Sequence, residues 1–332
     1  MTIALRYADS FDGYTTLSER WTTASGTITA AAARTGAAGL RDPANQALTK
    51  TIDAQGTWIV GFAYRVAVLD GSVILRTGDT DVVANCQGRV IVNADGTIAL
   101  HRGDGTTLLA TSTLSLLPNV FYYIEVKHII LNAGGTFEVR VNGAVWVTFT
   151  GDTQHTANAT ANIINLNSSS GQTEDFDDLY INDGQGSVNN DYLGEVQIEY
   201  LACNADGNSE QWTPSAGSNF QNVDEAAPDD DTTYNSTSTE GNKDTFGIAN
   251  ISLAAATIPA IQVIIRARKE SAGTANIQRV YRSGGSENNG ASFNPSTSYA
   301  TQLEIMETDP IAVGAWTIAN LNASEFGYAA VA

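Results

Sequence analysis

Cysteine is almost missing from this chain. Cys86 and Cys203 are the only two in 332 residues, so no disulfide framework supplies stability, and two thiols without nearby histidines build no zinc cage. Both read as free, mostly buried thiols. Histidine occurs three times, at His101, His128 and His155, with no metal-ligand spacing. Charge is sparse and lopsided: charged residues make up 16%, with 17 Lys and Arg against 36 Asp and Glu, a net charge of −19. A surface this poor in cations does not neutralise phosphate, which argues against nucleic acid as a partner and against binding to an anionic membrane. No apolar run reaches the roughly 18 residues that span a bilayer, so no membrane insertion is expected. The opening MTIALRYADSFDGY has no basic stretch followed by an apolar one, so the sequence reads as made in a cytoplasm without a Sec signal peptide.

What is present is a pattern of short strands and tight turns. Val90–Val92 and Thr97–Leu100 flank Asn93-Ala94-Asp95-Gly96, and Asn142-Gly143 joins Thr136–Val141 to Val145–Phe149. Both turns supply the positive φ that a tight hairpin demands. Phe121–Leu131 is a long β-rich run with Tyr122, Ile124, Val126 and His128 on one face; His128 there reads as a packed histidine. Thr57–Leu69 and Val73–Thr77 are expected to pair across Asp70-Gly71, while Leu40–Lys50 reads as loop or a short helical turn. In the second half, Glu195–Leu201 alternates as a strand, and Ile261–Lys269 is expected to pair with Ala275–Arg282 across Ser271-Ala272-Gly273. The spacing predicts an all-β fold of two antiparallel β-sandwich (jelly-roll) domains. The boundaries read as residues 1–185, a Gly/Asn/Ser-rich linker at 186–194, and 195–332 with a long acidic polar loop at 202–244.

The order VNADGTIAL, LLPNVFYYIEVKHII, GGTFEVRVNGAVW, DFDDLYI resembles the concanavalin A-like lectin/glucanase superfamily in its laminin-G-like form, over about residues 1–185. In that pattern Phe176–Ile181 returns beside the first strand at Tyr7–Tyr14. The pieces YADSFDGY, FDDLYINDGQGSVNNDYLGEVQIEYLACNADGNSEQWTPSAGS, VDEAAPDDDTTY, IRARKESAGTANIQRVYRSGG and WTIANLNASEFGY resemble tailed-bacteriophage virion structural proteins of tail or decoration type. That resemblance implies a homo-oligomeric virion component contacting tail or capsid subunits.

Catalytic constellations are hard to place. The E-x-D-x-x-E strand of the glucanase branch is absent, as are G-x-S-x-G and phosphate loops. Asp9, Asp12, Asp175, Asp177 and Asp178 converge if the first and last strands pair. Laminin-G-like jelly rolls often carry calcium, which makes these five candidate Ca²⁺ ligands; the alternative is carboxylates that cap turns and face water. No Lys or Arg falls between Arg140 and Lys243, while seventeen acids do. Tyr192, Trp212, Phe220, Asp229, Asp230, Asp231 and Tyr234 are the candidate partner or ligand surface in and beside that region.

The reading that follows is a non-enzymatic phage virion structural protein on the particle surface, tail-associated as a fibre, tip or minor tail protein, with assembly and host-surface glycan adhesion as its work. The alternatives are a capsid decoration or head-fibre protein and, from other classes, a polysaccharide-degrading enzyme or a free carbohydrate-binding module.

Overall fold

The computed structural model describes residues 3–43, 46–168, 172–253 and 257–332. The chain divides into two compact units, Met1–Ile198 and Glu199–Ala332. Both are built from antiparallel sheet, and the one α-helix among the described residues has five residues.

The strands of the first unit are β1 (Leu5–Asp9), β2 (Thr27–Thr29), β3 (Gly39–Asp42), β4 (Gln46–Gln55), β5 (Thr57–Val66), β6 (Ser72–Gly78), β7 (Cys86–Val92), β8 (Thr97–Arg102), β9 (Thr107–Ser115), β10 (Tyr122–Ile129), β11 (Gly135–Val141), β12 (Ala144–Gly151), β13 (Ala161–Ser168) and β14 (Glu174–Asp183). An eight-stranded sheet runs β12-β11-β10-β5-β14-β3-β2, with β1 paired to β14; a six-stranded sheet runs β4-β13-β6-β7-β8-β9. The expected return of the last strand beside the first is present, with Tyr7 opposite Ile181 and Asp9 opposite Leu179. The Asn142-Gly143 hairpin is also as expected, both residues at positive φ (49° and 79°).

Period-2 alternation sends Trp58, Val60, Phe62 and Tyr64 of β5, Ile124 and Val126 of β10, and Phe137 and Val139 of β11 into the interior, where all are buried. The Phe176 ring packs 5.7 Å from Phe62 and 5.4 Å from Tyr64, centroid to centroid. His128 lies on the same inward face. Its Nδ1 accepts the Thr77 hydroxyl at 2.8 Å, its Nε2–H donates to the Thr153 carbonyl at 3.2 Å, and its ring stacks on Phe137 at 4.2 Å. Burial draws its pKa down to about 4. It is a packed core histidine.

Several pairings differ from expectation. Thr57–Leu69 and Val73–Thr77 do not pair: β5 lies between β10 and β14, and β6 lies between β13 and β7 in the other sheet. The Asp70-Gly71 turn therefore crosses between layers, because both strands are apolar enough to be buried within sheets of their own. Leu40–Lys50 is neither loop nor helical turn. It enters β3 and β4, with Ala44 and Asn45 outside the described residues.

The strands of the second unit are β15 (Cys203–Glu210), β16 (Thr213–Pro214), β17 (Asn235–Ser236), β18 (Lys243–Ile248), β19 (Ile261–Ala267), β20 (Asn276–Ser283), β21 (Ser286–Phe293), β22 (Ala300–Met306) and β23 (Glu325–Val331). A five-stranded sheet runs β15-β18-β23-β20-β21, with β16–β17 and β19–β22 as two-stranded ribbons. Its core gathers Ile258, Tyr281, Met306, Trp316, Leu321 and Phe326, with Tyr281 5.3 Å from Trp316 and 5.1 Å from Phe326. Ala275–Arg282 pairs with β21 and β23, not with Ile261–Lys269, whose strand pairs with β22. The stretch 202–244 is folded and not a simple loop. It carries β15, β16 and β17, and closes around the buried Asp244 carboxylate, which accepts from Gln211 N (2.7 Å), Trp212 N (2.9 Å) and Asn219 Nδ2 (2.7 Å).

Candidate functional site

The five candidate calcium ligands lie in the first unit, and each is occupied by protein donors. Asp9 Oδ2 accepts from the Tyr7 hydroxyl (2.8 Å), the Tyr14 hydroxyl (2.7 Å) and Trp21 Nε1 (2.9 Å), and its Oδ1 accepts from Phe11 N. Asp12 Oδ1 accepts from Ala37 N and Ala38 N. Asp175 is clamped by Arg41 at 2.8 Å and Arg65 at 2.6 Å. Asp177 Oδ2 accepts from Arg34 N (2.6 Å) and Thr35 N (3.0 Å), and Asp178 takes Arg34 Nη1, the Thr35 hydroxyl and Ile198 N. Burial, then the neighbouring Asp178 charge, pushes Asp177 up to about 7; burial also raises Asp12 and Asp178. Calcium wants six to eight oxygen ligands, whereas these oxygens face N–H and O–H donors that a cation would have to displace. Among the described residues no group of three or more His, Cys, Asp and Glu is placed to hold a metal ion. The carboxylates do not fit a calcium site; Asp177 and Asp178 fasten loop 31–38 to β14, Asp12 holds the end of the same loop, and Asp9 and Asp175 are tied up by Tyr7, Tyr14 and Trp21 and by two arginines.

Of the candidate contact residues, Tyr192 belongs to the first unit and the other six to the second. Trp212 packs edge-on to Tyr328 at 4.7 Å and donates Nε1–H to the Asn242 carbonyl. Phe220 N donates to Asp206 Oδ1, Asp229 accepts from Thr233, and Tyr234 N donates to the Ser215 hydroxyl. Asp230 is bidentate to Arg266 (2.5 and 2.8 Å), and Asp231 pairs with Arg268 at 3.0 Å. The cations missing from the sequence between Arg140 and Lys243 thus come from strands elsewhere in the same unit.

A denser polar constellation lies on the outer face of the eight-stranded sheet. Alternation that sends Ile124, Val126 and His128 inward turns Tyr123, Glu125 and Lys127 outward. Cross-strand register then builds two rows. Arg140, Glu125, Gly61 and Tyr180 stand side by side on β11, β10, β5 and β14; Glu138, Lys127, Ile59 and Asn182 form the next row. Gly61 is necessary to the first row. The Tyr180 ring lies across it, and a Cβ there would come within 2.1 Å of the ring. The ring therefore reaches over β5, and its hydroxyl donates to Glu125 Oε1 at 2.5 Å.

Residues 189–198, expected as linker and then as a strand, form no strand. They run over this face, held mainly by side chains of the sheet. Asn182 Nδ2 donates to the carbonyls of Asn189 (2.8 Å) and Asp191 (3.2 Å). Leu193 N donates to the Tyr180 hydroxyl (3.1 Å), Gly194 N to Glu125 Oε1 (2.8 Å), and Ile198 N to Asp178 Oδ1 (2.8 Å). Arg34 Nη1 donates to the Val196 carbonyl at 3.0 Å. Ion pairs Lys127–Asp191 (3.0 Å) and Arg34–Glu195 (2.5 Å) flank the segment. Tyr192 lies under the Arg140 guanidinium at 3.8 Å and donates to Glu138 at 3.1 Å. Burial, then the charge of Glu125, raises the Tyr180 phenol well above its ordinary range; burial, then Glu138, raises Tyr192. The sequence reading missed Glu125, Tyr180, Asn182 and Arg140. Two signals pointed to them: a glutamate and a lysine alternating through an otherwise apolar strand, and a glycine in a strand interior, which marks close approach.

No protein-family model matches this chain, and no curated protein matches it. Solved structures do. An endo-β-1,4-glucuronan lyase from the fungus Trichoderma reesei is 10% identical over 54% of this chain and 95% of its own, with a TM-score of 0.41. The cellulose-induced protein Cip1 is 16% identical over 53% and 96%, at 0.38. The carbohydrate-binding module CBM66 from Bacillus subtilis is 10% identical over 49% and 95%, at 0.35. Likeness at this level reaches no further than the β-sandwich, an architecture here common to a lyase and a binding module. It corrects the expectation of a phage virion structural protein: similar structures include a polysaccharide lyase, a cellulose-induced protein and a carbohydrate-binding module, and none of these three is described as a virion, tail or capsid protein.

Proposed function

We propose that the first unit is a non-catalytic carbohydrate-recognition sandwich whose ligand face is the outer face of the eight-stranded sheet. The observation that carries this reading is the Tyr180 ring resting on Gly61, with Glu125, Asn182, Lys127 and Arg140 arranged about it in cross-strand register. An aromatic face takes the apolar side of a sugar ring, and convergent carboxylate, amide and cationic groups take its hydroxyls. Acids and bases alternate here, which suits a neutral glycan, or one with isolated uronate residues, better than a polyanion.

The electrostatics speak against proton abstraction. A tyrosine acting as general base needs a phenol pulled toward the working pH; Tyr180 is pushed the other way by burial and by Glu125. The test is calorimetric titration of the full chain with a panel of neutral and uronate-containing hexasaccharides, alongside an absorbance assay for unsaturated products. Binding that weakens several-fold in Lys127→Ala and Arg140→Ala, with no unsaturated product, supports the reading. Binding indifferent to both variants, or to every member of the panel, overturns the site, and appearance of the unsaturated product overturns its non-catalytic character.

A further inference from the structure

We propose that residues Asn189–Ile198 are a displaceable cover over this face, so that carbohydrate and the chain's own backbone compete for the same side chains. The proposal rests on the carbohydrate reading and adds its regulation.

The segment covers groups that are removed from water almost completely: Glu125 and Tyr180 are 1% exposed, Tyr123 2% and Asn182 0%. Yet no residue between 189 and 198 is itself buried. Its apolar side chains, Tyr192, Leu193, Val196 and Ile198, are only partly buried, so less hydrophobic free energy holds it down than holds a core strand, and such segments open locally at less than the cost of global unfolding. Six of its main-chain groups are engaged by side chains: the carbonyls of Asn189, Asp191 and Val196 and the N–H groups of Leu193, Gly194 and Ile198. These are single hydrogen bonds to side chains, not a ladder with a neighbouring strand. A sugar's hydroxyls present the same mixture of donors and acceptors, so a ligand can replace each contact in kind. The Asn182 Oδ1 atom, buried and accepting no hydrogen bond, is a position at which a ligand hydroxyl improves on the segment. The flanking ion pairs rest on Asp191 and Glu195, both well exposed, so water competes for them as well.

Gly194 gives a test that alters no group on the face. It sits at φ +78°, with nothing within 4 Å of where a Cβ would stand. Gly194→Val therefore strains the docked backbone with open space around its Cβ, and populates the undocked segment about tenfold more. The experiment measures hydrogen exchange at the Leu193 and Ile198 amides and hexasaccharide affinity, in the natural chain and in Gly194→Val. The expected result is faster exchange in the variant, a roughly tenfold gain in affinity, and faster exchange of the same amides in the natural chain when saturated with ligand. If ligand binds while those amides stay protected, and the variant binds no tighter, the cover proposal fails; carbohydrate recognition then stands only at the rim the segment leaves open, Lys127 and Arg140, and weaker binding in Lys127→Ala and Arg140→Ala tells that rim from a site elsewhere. Amides that exchange only through global unfolding also overturn the cover. If exchange shows the segment open in the variant and no hexasaccharide binds to either chain, the carbohydrate reading fails and the cover with it.

Discussion

The first unit buries two surfaces in opposite ways. On its inward face the eight-stranded sheet buries Phe62, Tyr64 and Phe176 ring against ring and Phe137 against His128. On the outer face, Glu125, Tyr180 and Asn182 are excluded equally well, but by a single extended segment that is itself half-exposed. Exposure alone does not separate the two regions. What separates them is what must be lost to open them: dispersion and hydrophobic contact spread over many residues in one case, a handful of replaceable hydrogen bonds in the other.

The sharpest way to break that contrast is to truncate the interior. Phe176→Ala is expected to cost about 3–5 kcal/mol of stability in a denaturant titration, with exchange rising throughout the unit and not in residues 189–198 alone. Next in size is the interior carboxylate Glu174. Burial first of all pushes its pKa up to about 8 from an ordinary 4.5. Since the folded state keeps a proton that the unfolded chain has released, its contribution is fully present below about pH 4.5 and is lost as pH rises through about 8. A pH series of melting temperatures checks this; Glu174→Gln is expected to flatten that alkaline loss by a few kcal/mol. His128 works in the opposite sense. Its folded pKa of about 4 lies below the ordinary 6.5, so stability falls as pH drops from 6.5 through 4, and His128→Gln removes that acid limb.

Smaller effects belong to the outer face. Gly61→Ala forces the Tyr180 ring off β5 and is expected to cost about 1–3 kcal/mol, with faster exchange at Leu193 and Gly194 as the reporter. Lys127→Ala removes a half-exposed ion pair and is expected to change stability by less than about 1 kcal/mol while measurably loosening residues 189–198. If Lys127→Ala destabilised the unit as much as Phe176→Ala, the distinction between the two surfaces would be lost.

The strands of the first unit were legible because one face of each is buried against the opposite sheet, and that imposes a period of two on the sequence. Hairpins such as the one at Asn142-Gly143 were legible because their turns need positive φ. Pairing across longer connections was not. Whether Asp70-Gly71 closes a hairpin or crosses between sheets depends on which neighbours β5 and β6 find, and alternation within a strand carries no information about its neighbours. Glu195–Leu201 alternates like a strand, but the Val196 carbonyl goes to the Arg34 side chain and the Ile198 N–H to Asp178, so no ladder forms there. The aspartates of the first and last strands were legible as a group, but the work of Asp12, Asp177 and Asp178 as acceptors for main-chain N–H groups was not, since those donors come from loop 31–38 and from Ile198.

By itself the sequence determined an all-β chain, its acidic surface, its tight hairpins and the inward face of its long strands. These follow from local backbone preference and from the segregation of apolar side chains. Only the tertiary structure decided the site. Arg140, Glu125, Gly61 and Tyr180 are separated by as many as 119 positions along the chain and become neighbours solely through strand register. The cover over them is a stretch of polar sequence that acquires an ordered path only because the sheet presents donors and acceptors at the right spacing.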